Sequence, residues 1–260
     1  MRFQLLAARA AFAALVLAVL VAGVAIAGVR LDRLSYANGL RLMWPATALG
    51  LLALVLALLW FRRAFIRNAG EGKRMGLIAL VGSLAFLYPP LSTAWRGLTL
   101  PPIHDASTDP EEPPQFKALA KLRRPGMNGP DFDGQAKIRY WGKEVTIAYA
   151  LHDYRNGLIT KPHTKLLPGS ADPVGVIFWR CFEAAKKLGW TIVDYSAREG
   201  RIEATASSFW FGQISDIVIR VRQSGPIAAR ADIRAESRMG AVDNGFNIRL
   251  LAAFKEKAGI

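Results

Sequence analysis

Residues 216–236 read DIVIRVRQSGPIAARADIRAE, and the fold of the C-terminal part follows from this stretch. Apolar residues alternate with charged ones on both sides of the sequence Ser-Gly-Pro at 224–226. A period of two is typical of a β-strand with one buried face, and Gly-Pro favours a turn. The stretch therefore predicts an antiparallel hairpin of two strands, 216–222 and 228–236.

The hairpin is the second half of a longer predicted sheet. Alternating patterns at 190–195 and 201–207 indicate two further strands before it. A helix is expected to begin at Asp172-Pro173, because Asp is a favoured N-cap and Pro a favoured first-turn residue. Helical spacing of apolar residues predicts a last helix at 243–257. The order helix, four-strand antiparallel meander, helix is an α+β arrangement.

The outward face of the hairpin is unusually ionic. Opposite charges on neighbouring strands contribute about 0.2–1 kcal/mol per pair, so this face is interpreted as a solvated ladder of ion pairs. We expect Asp216 to lie near Arg234. Arg220 is expected opposite Asp232 or diagonal to it. The alternative is a face that recognises an anion or a partner, because three arginines outnumber what two acids can pair.

Composition indicates that part of the chain is not soluble. The 260 residues have a formal charge of +14, 52% hydrophobic residues and a mean hydropathy of +0.20. A single cysteine excludes an internal disulfide scaffold. Residues 1–98 carry eleven basic and two acidic side chains, a net +9, and residues 99–260 carry the remaining +5. Excess charge in the most apolar third is typical of membrane flanks, so nucleic acid is not an expected partner.

Three apolar runs predict a transmembrane region over residues 1–98. The spans are expected at about 10–29, 42–61 and 75–95. Twenty helical residues extend about 30 Å, which matches the hydrocarbon core of a bilayer. The fold class is therefore an N-terminal bundle of three transmembrane helices followed by a soluble α+β domain.

The second and third spans have distinctive ends. Trp44 and Trp60 lie near the two ends of the second run, where indole rings favour the membrane interface. In the third run, the Pro-Pro pair at 89–90 either ends the helix near Tyr88 or bends it as it continues to Trp95.

Two features of the N-terminal region bear on how the chain is inserted in the membrane. Arg2 and Arg9 precede the first run and a small-x-small sequence lies at 25–27, so a cleaved signal peptide is the alternative to a retained helix. Seven basic residues in the N-terminal tail and the 62–74 loop, against four on the other side, predict a cytoplasmic N-terminus. Residues 99–260 are then extracytoplasmic, at an inner or plasma membrane.

Residues 99–114 are rich in proline and are predicted to be a linker. Five prolines between 100 and 114 disfavour helix and sheet, so a stiff stalk before the domain at 115–260 is expected. His104, Asp105 and Asp109 could ligate a metal, but their spacing matches no standard ligand pattern. We predict no metal site and no cofactor.

Several stretches of the chain resemble the family DUF1499, whose function is unknown. The likeness rests on LGW (188–190), RIEATA (201–206), WFG (210–212), DIVIRV (216–221), DIR (232–234), SRMG (237–240), Asp243, Gly245, Asn247 and PPIHDASTDP (101–110). It covers roughly residues 100–258. The resemblance implies an N-terminal membrane region, which members of the family often have, and it implies no activity.

The chain departs from the family pattern at three positions. Ser215 stands where the first of two acids is usual, Val242 where a serine is usual, and Leu250 where an arginine is usual. If these polar groups form a working site in the family, this copy of it is altered.

A set of polar side chains on the hairpin, the following turn and the last helix is the candidate binding site. It comprises Asp216, Arg220, Asp232, Arg234, Ser237, Arg238, Asp243 and Asn247. The plain interpretation is structural, with Asp243 capping the last helix and Arg238 holding a carboxylate through two hydrogen bonds. No histidine lies in this region to activate a nucleophile, so no catalytic residue is predicted.

The second candidate is an aromatic run, Phe209-Trp210-Phe211, between two predicted strands. Its rings either enter the core and the sheet edge or form a loop that dips into the membrane surface or lines an apolar pocket.

Two hypotheses on function follow. The first is a bacterial cell-envelope protein whose extracytoplasmic domain is a binding or structural module for an envelope protein or an apolar ligand such as a lipid. The alternative is a hydrolase-like enzyme that acts on an anionic substrate through the Asp/Arg cluster. The residues favour the first. The lipid bilayer is the expected partner of the spans.

Overall fold

The computed structural model divides into two compact units. One consists of Met1–Trp95 with Trp210–Gly212, and the other of Arg96–Phe209 with Gln213–Ile260. The described residues are 2–67, 72–153, 163–166 and 171–260. Residues 68–71 of the predicted cytoplasmic loop therefore lie outside the described residues.

The first unit is built from three long helices. They are α1 (Arg2–Arg30), α2 (Tyr36–Arg67) and α3 (Lys73–Thr99). Each is long and apolar enough to cross a membrane, with mean hydropathy values of 2.8, 2.2 and 1.6 in chain order. A long apolar helix includes each of the three predicted spans, and α3 continues through Pro89 and Pro90 to Thr99.

Small residues hold these helices together. Ala11 of α1 packs with Ala57 of α2 and Ala79 of α3. Membrane helices associate through close backbone approach, since lipid tails are as apolar as the helices themselves. Trp60, at the end of the second predicted span, is only 2% exposed because its ring lies against Gly76 of α3. Trp44, by contrast, is exposed.

The second unit contains a six-stranded antiparallel sheet. Its strands are β1 (Asp105–Ser107), β4 (His163–Leu166), β5 (Thr191–Ser196), β6 (Arg201–Ser207), β7 (Ile214–Gln223) and β8 (Ala228–Ser237). The order is β1-β8-β7-β6-β5, and β4 also pairs with β8. The predicted four-strand meander is confirmed, and two strands from upstream extend it.

The remaining elements lie around the sheet. They are a 3-10 turn (Leu119–Leu122), the hairpin β2 (Lys137–Tyr140) and β3 (Lys143–Thr146), α4 (Ile147–Asp153), α5 (Pro173–Lys187) and α6 (Phe246–Ala258). As predicted, Asp172 caps α5, because its Oδ1 accepts the Gly175 N–H at 2.8 Å. The helices α5 and α6 cover the apolar face of the sheet, where Phe178 and Phe254 are fully buried.

The linker prediction for residues 99–114 is wrong in part. Residues 105–107 form β1, in which Asp105 lies opposite Glu236 and Ala106 opposite Ala235. The Thr108 N–H continues the pairing by donating to the Ile233 carbonyl at 2.9 Å. The five prolines flank a window, 103–109, that contains none. A short strand can form there because every backbone N–H in the window is available to the sheet.

Candidate functional site

The ionic face of the sheet is buried rather than solvated. Asp216, Asp232, Arg234 and Glu236 have no solvent exposure. Residues 109–132, called here the covering segment, lie over this face. Their Phe116 and Leu119 form a cluster with Val218 of β7. The predicted solvated ladder is therefore wrong as to its environment.

A buried carboxylate anchors the covering segment to the sheet. Glu203 of β6 accepts the backbone N–H groups of residues 117–119 at 2.9, 3.1 and 2.8 Å. These donors lie at the start of the 3-10 turn, where N–H groups have no partner within the turn. Arg201 also donates to Glu203. Glu203, a residue of the sheet, thus caps the N-terminal end of the 3-10 turn.

Arg234 lies at the centre of one group of charged side chains on this face, called here the inner cluster. Its Nη2 donates to Asp105 Oδ2 at 2.7 Å and to the Pro130 carbonyl at 2.8 Å, and its Nε contacts both Asp105 oxygens. Its guanidinium carbon lies 4.7 Å from the centre of the Phe116 ring and 5.5 Å from that of Phe132. The cation is therefore satisfied by charge, carbonyl oxygen and aromatic faces.

The predicted pair of Asp216 and Arg234 is wrong. The strand register places Asp216 directly opposite Glu236. Arg123 of the covering segment bridges the two acids, with Nη2 at 3.0 Å from Asp216 and 2.9 Å from Glu236. Arg238 holds Asp216 from the other side, through Nε at 2.9 Å and Nη2 at 2.8 Å. The expected binding of a carboxylate by Arg238 is confirmed.

Burial changes the protonation of the inner acids. Burial, together with the nearby Asp105, raises the pKa of Glu236 to about 8, against the opposing effect of Arg123 and Arg234. Burial also raises the pKa of Asp105, against the effect of Arg234. Glu236 Oε1 has no hydrogen-bond partner among the described residues. Burial therefore favours the protonated form of the Glu236 side chain.

An outer cluster lies further along the same face. Its members are Asp109, Glu112, Arg220, Arg222, Arg230 and Asp232. Asp109 Oδ2 lies 2.5–3.2 Å from all three arginines. Arg220 contacts Asp232 directly across the strands at 3.0 Å, as predicted. The apparent surplus of arginine is matched by Asp109 and Glu112, which the covering segment contributes.

Three of the predicted residues lie on the opposite face of the sheet. The Asn247 side-chain amide donates to Ser237 Oγ at 3.1 Å and to the His104 carbonyl at 2.6 Å. Asp243 accepts the N–H groups of Gly245 and Asn247 at 2.6 and 3.0 Å, so it caps the start of α6 as expected. Burial raises the pKa of Asp243 to about 6, against these two hydrogen bonds.

The eight predicted residues therefore form three groups rather than one site. Asp105, Arg123 and Glu203 complete these groups, and the pattern of the hairpin contained no signal for them. Among the described residues, no group of His, Cys, Asp or Glu is placed to hold a metal ion. An open recess of about 250 Å³ lies between the covering segment and β7, and its charged side chains Lys117 and Arg201 pair with Glu199.

The aromatic run lies in the connection between β6 and β7. Phe209 is 78% exposed and Trp210 is 51% exposed, so the interpretation as core residues is wrong for both. The Trp210 carbonyl accepts from Arg30 Nε at 3.0 Å, and the Phe211 ring meets the Tyr36 ring edge-on at 6.0 Å.

A second group of aromatic side chains lies at the edge of the sheet, where α5 meets β5. We call Trp179, Phe182 and Tyr195 the aromatic patch. Their ring centres are 5.0–6.3 Å apart. Trp179 is 49% and Tyr195 50% exposed. Trp179 lies outside the apolar stripe that predicts α5, so the sequence pattern did not single it out.

Three helices of membrane-crossing length, followed by an antiparallel sheet with two helices on one face, define a membrane protein with an α+β domain. The chain belongs to the family described as "Protein of unknown function (DUF1499)", which matches residues 105–257. This confirms the resemblance seen in the sequence motifs. No curated protein matches the chain.

Proposed function

We propose that the protein is a membrane-anchored binding module whose α+β domain docks an extended, apolar segment of another envelope protein. The observation that carries this proposal is the aromatic patch. Its three rings contact each other, and Trp179 and Tyr195 remain half-exposed, although burying an aromatic side chain is strongly favourable. Clustered exposed aromatic rings are typical of the centres of protein interfaces.

The strand beside the patch supports an extended partner. Within the part of the chain that the structure describes, β5 pairs only with β6, so its other edge offers unpaired backbone groups. An added strand would form main-chain hydrogen bonds there. Alternate side chains of that strand would face Tyr195, which lies on the same side of the sheet as α5.

The other features of the domain give less support to a small ligand or a substrate. The space between the sheet and its two helices is filled by buried side chains such as Phe178, Leu251 and Phe254. The charged residues of the ionic face pair with one another, and Arg234 is fully buried. Within the described residues, this packing leaves no apolar chamber for an apolar ligand between the sheet and its helices. An anionic substrate would have to displace ion pairs that already exist within the domain.

Photo-crosslinking in the native membrane tests the proposal. Benzoylphenylalanine at position 179 should form an adduct of discrete mass with one protein, which mass spectrometry identifies. The matched control is the same probe at Tyr149, an exposed aromatic residue on α4. The identified partner should then bind the purified full-length protein, and Trp179→Ala should weaken that binding by about tenfold or more.

Two outcomes would overturn the proposal. One is an adduct that forms equally well from position 149. The other is an adduct whose added mass is that of a lipid, which would favour an apolar ligand instead. Native mass spectrometry of the detergent-extracted protein would then show the same lipid retained.

A further inference from the structure

We propose a second interaction surface: the end of the α+β domain that carries the β6–β7 connection lies in the headgroup layer of the protein's own membrane. The partner is the lipid surface, and the contact residues differ from those of the aromatic patch. The apolar side chains concerned are Phe209, Trp210, Ile214, Met239 and Val242, all of them exposed.

These side chains come from two loops that are joined to each other. The Gln213 side-chain amide donates to the Met239 carbonyl at 2.6 Å. The Arg238 N–H donates to the Ile214 carbonyl at 3.0 Å. The connection between β6 and β7 and the turn after β8 therefore form one surface. Exposed apolar residues that are contiguous in this way mark an interaction site more often than isolated ones do.

The chain enters the domain at the same end. The Asp243 N–H donates to the Ile103 carbonyl at 2.9 Å, and His104 Nδ1 lies 3.3 Å from the Ala241 carbonyl. Only residues 100–104 separate β1 from the end of α3. Five residues span at most about 18 Å. This end of the domain is therefore tethered close to the point where the third span ends.

The tip of the β6–β7 connection belongs to the unit of apolar helices. Residues 210–212 cluster with that unit, where they contact Arg30 and Tyr36. Arg30 ends α1 and Tyr36 begins α2. In three consecutive membrane-crossing helices, the end of the first, the start of the second and the end of the third share one side of the bilayer. Both lines of evidence thus place the loop at the same membrane boundary.

The chemistry of this boundary suits lipid headgroups. Trp and other aromatic rings favour the interface, where an apolar ring and a polar edge are both satisfied. The end of α1, the connection that follows it and the start of α2 add three basic side chains, Arg30, Arg33 and Arg41. Basic groups close to an anionic membrane surface are attracted to it.

Fluorescence quenching by lipids tests this inference on the full-length protein. Phe209→Cys is labelled with an environment-sensitive dye in detergent and reconstituted into vesicles of phosphatidylethanolamine and phosphatidylglycerol. The native Cys181 is buried, and burial raises the pKa of its thiol to about 12, so it does not compete for the label. Ser224→Cys, in the turn at the opposite end of β7, is the control.

The dye at 209 should show a blue-shifted emission and should lose most of it when nitroxide-labelled phosphatidylcholine is included. The dye at 224 should keep its emission. Met239→Cys should behave like Phe209→Cys, since the two loops form one surface. Equal quenching at 209 and 224 would overturn the inference. So would a blue shift at 209 without quenching by lipid, because that result indicates contact with protein.

Discussion

Arg234 illustrates how the domain accommodates a fully buried charge. Removing an ion from water costs several kcal/mol, so the protein must replace every lost contact. Asp105 supplies charge, Pro130 supplies a carbonyl, and the rings of Phe116 and Phe132 flank the guanidinium. Deleting one partner of such a pair costs about 3–5 kcal/mol, since the other charge stays buried. The geometry therefore favours a structural role for Arg234.

Glu236 predicts a pH-dependent stability. Its pKa rises from an ordinary value of 4.5 to about 8 in the folded state. Between these values the folded state holds a proton that the unfolded state has lost, so the free energy of unfolding falls as pH rises from about 4.5 to about 8. Glu236→Gln resembles the protonated form and should make this slope shallower, while Asp105, whose pKa burial also raises, still contributes to it. Thermal unfolding of the full-length protein in detergent measures it.

Two controls define this experiment. In Glu236→Gln, the free energy of unfolding should still fall as the pH rises towards about 6, because Asp243 has a pKa of about 6 and titrates independently. Exposed Glu199, whose pKa is lowered by Lys117 and Arg201, should leave the slope above about pH 6 unchanged when it becomes Gln. An identical slope in wild type and Glu236→Gln would contradict the assignment.

At the scale of elements, the two units use different packing. The sheet and its helices bury branched and aromatic side chains, as in most soluble proteins. The membrane helices instead bury alanines, such as Ala11, Ala53 and Ala57, and expose larger residues such as Leu17 and Val19. Water drives the first arrangement, whereas close van der Waals contact drives the second.

This difference predicts the effect of enlarging one alanine. Ala11→Leu should destabilise the helical unit by about 1–3 kcal/mol, because Ala11 is fully buried against Ala57 and Ala79 and three added carbons cannot fit there without strain. Ala13→Leu makes the same change on the exposed side of α1 and should be nearly neutral. Thermal unfolding in detergent compares the two variants. Equal unfolding temperatures would show that α1 is not packed through Ala11.

At the scale of the whole molecule, three helices that each cross the membrane would put the N-terminus and the α+β domain on opposite sides of it. The basic residues favour the N-terminal side and the loop after α2 as cytoplasmic. The domain is then exposed to envelope partners, which the proposed function requires.

Reporter fusions test this orientation. Alkaline phosphatase fused after Ile260 should be active, because it folds only outside the cytoplasm. The same enzyme fused after Arg67, at the end of α2, should be inactive. A cytoplasm-only fluorescent reporter should give the reverse pattern at the two sites. Activity of that reporter at Ile260 would contradict the orientation and, with it, an extracytoplasmic partner.

Much of the fold was predictable because the signals were local. The three spans follow from uninterrupted apolar runs, the meander from a period of two at 201–207 and 216–236, and the start of α5 from Asp172 and Pro173. Within the candidate site, the pairing of Arg220 with Asp232 and the cap at Asp243 could also be predicted, since each partner lies close by along the chain or across one turn.

The sequence by itself therefore determined the membrane helices, the meander and the family. Only the tertiary structure decided that residues 109–132 cover the ionic face, that β1 joins the sheet, and that Trp60 faces inward. The first two features depend on contacts between segments about a hundred residues apart, and the third on packing of Trp60 against Gly76 of the next helix, whereas periodicity describes only neighbouring residues. The alternation in β8 shows which side chains share a face. Which segment buries that face depends on the packing of the folded chain, where Phe116 and Leu119 contact Val218.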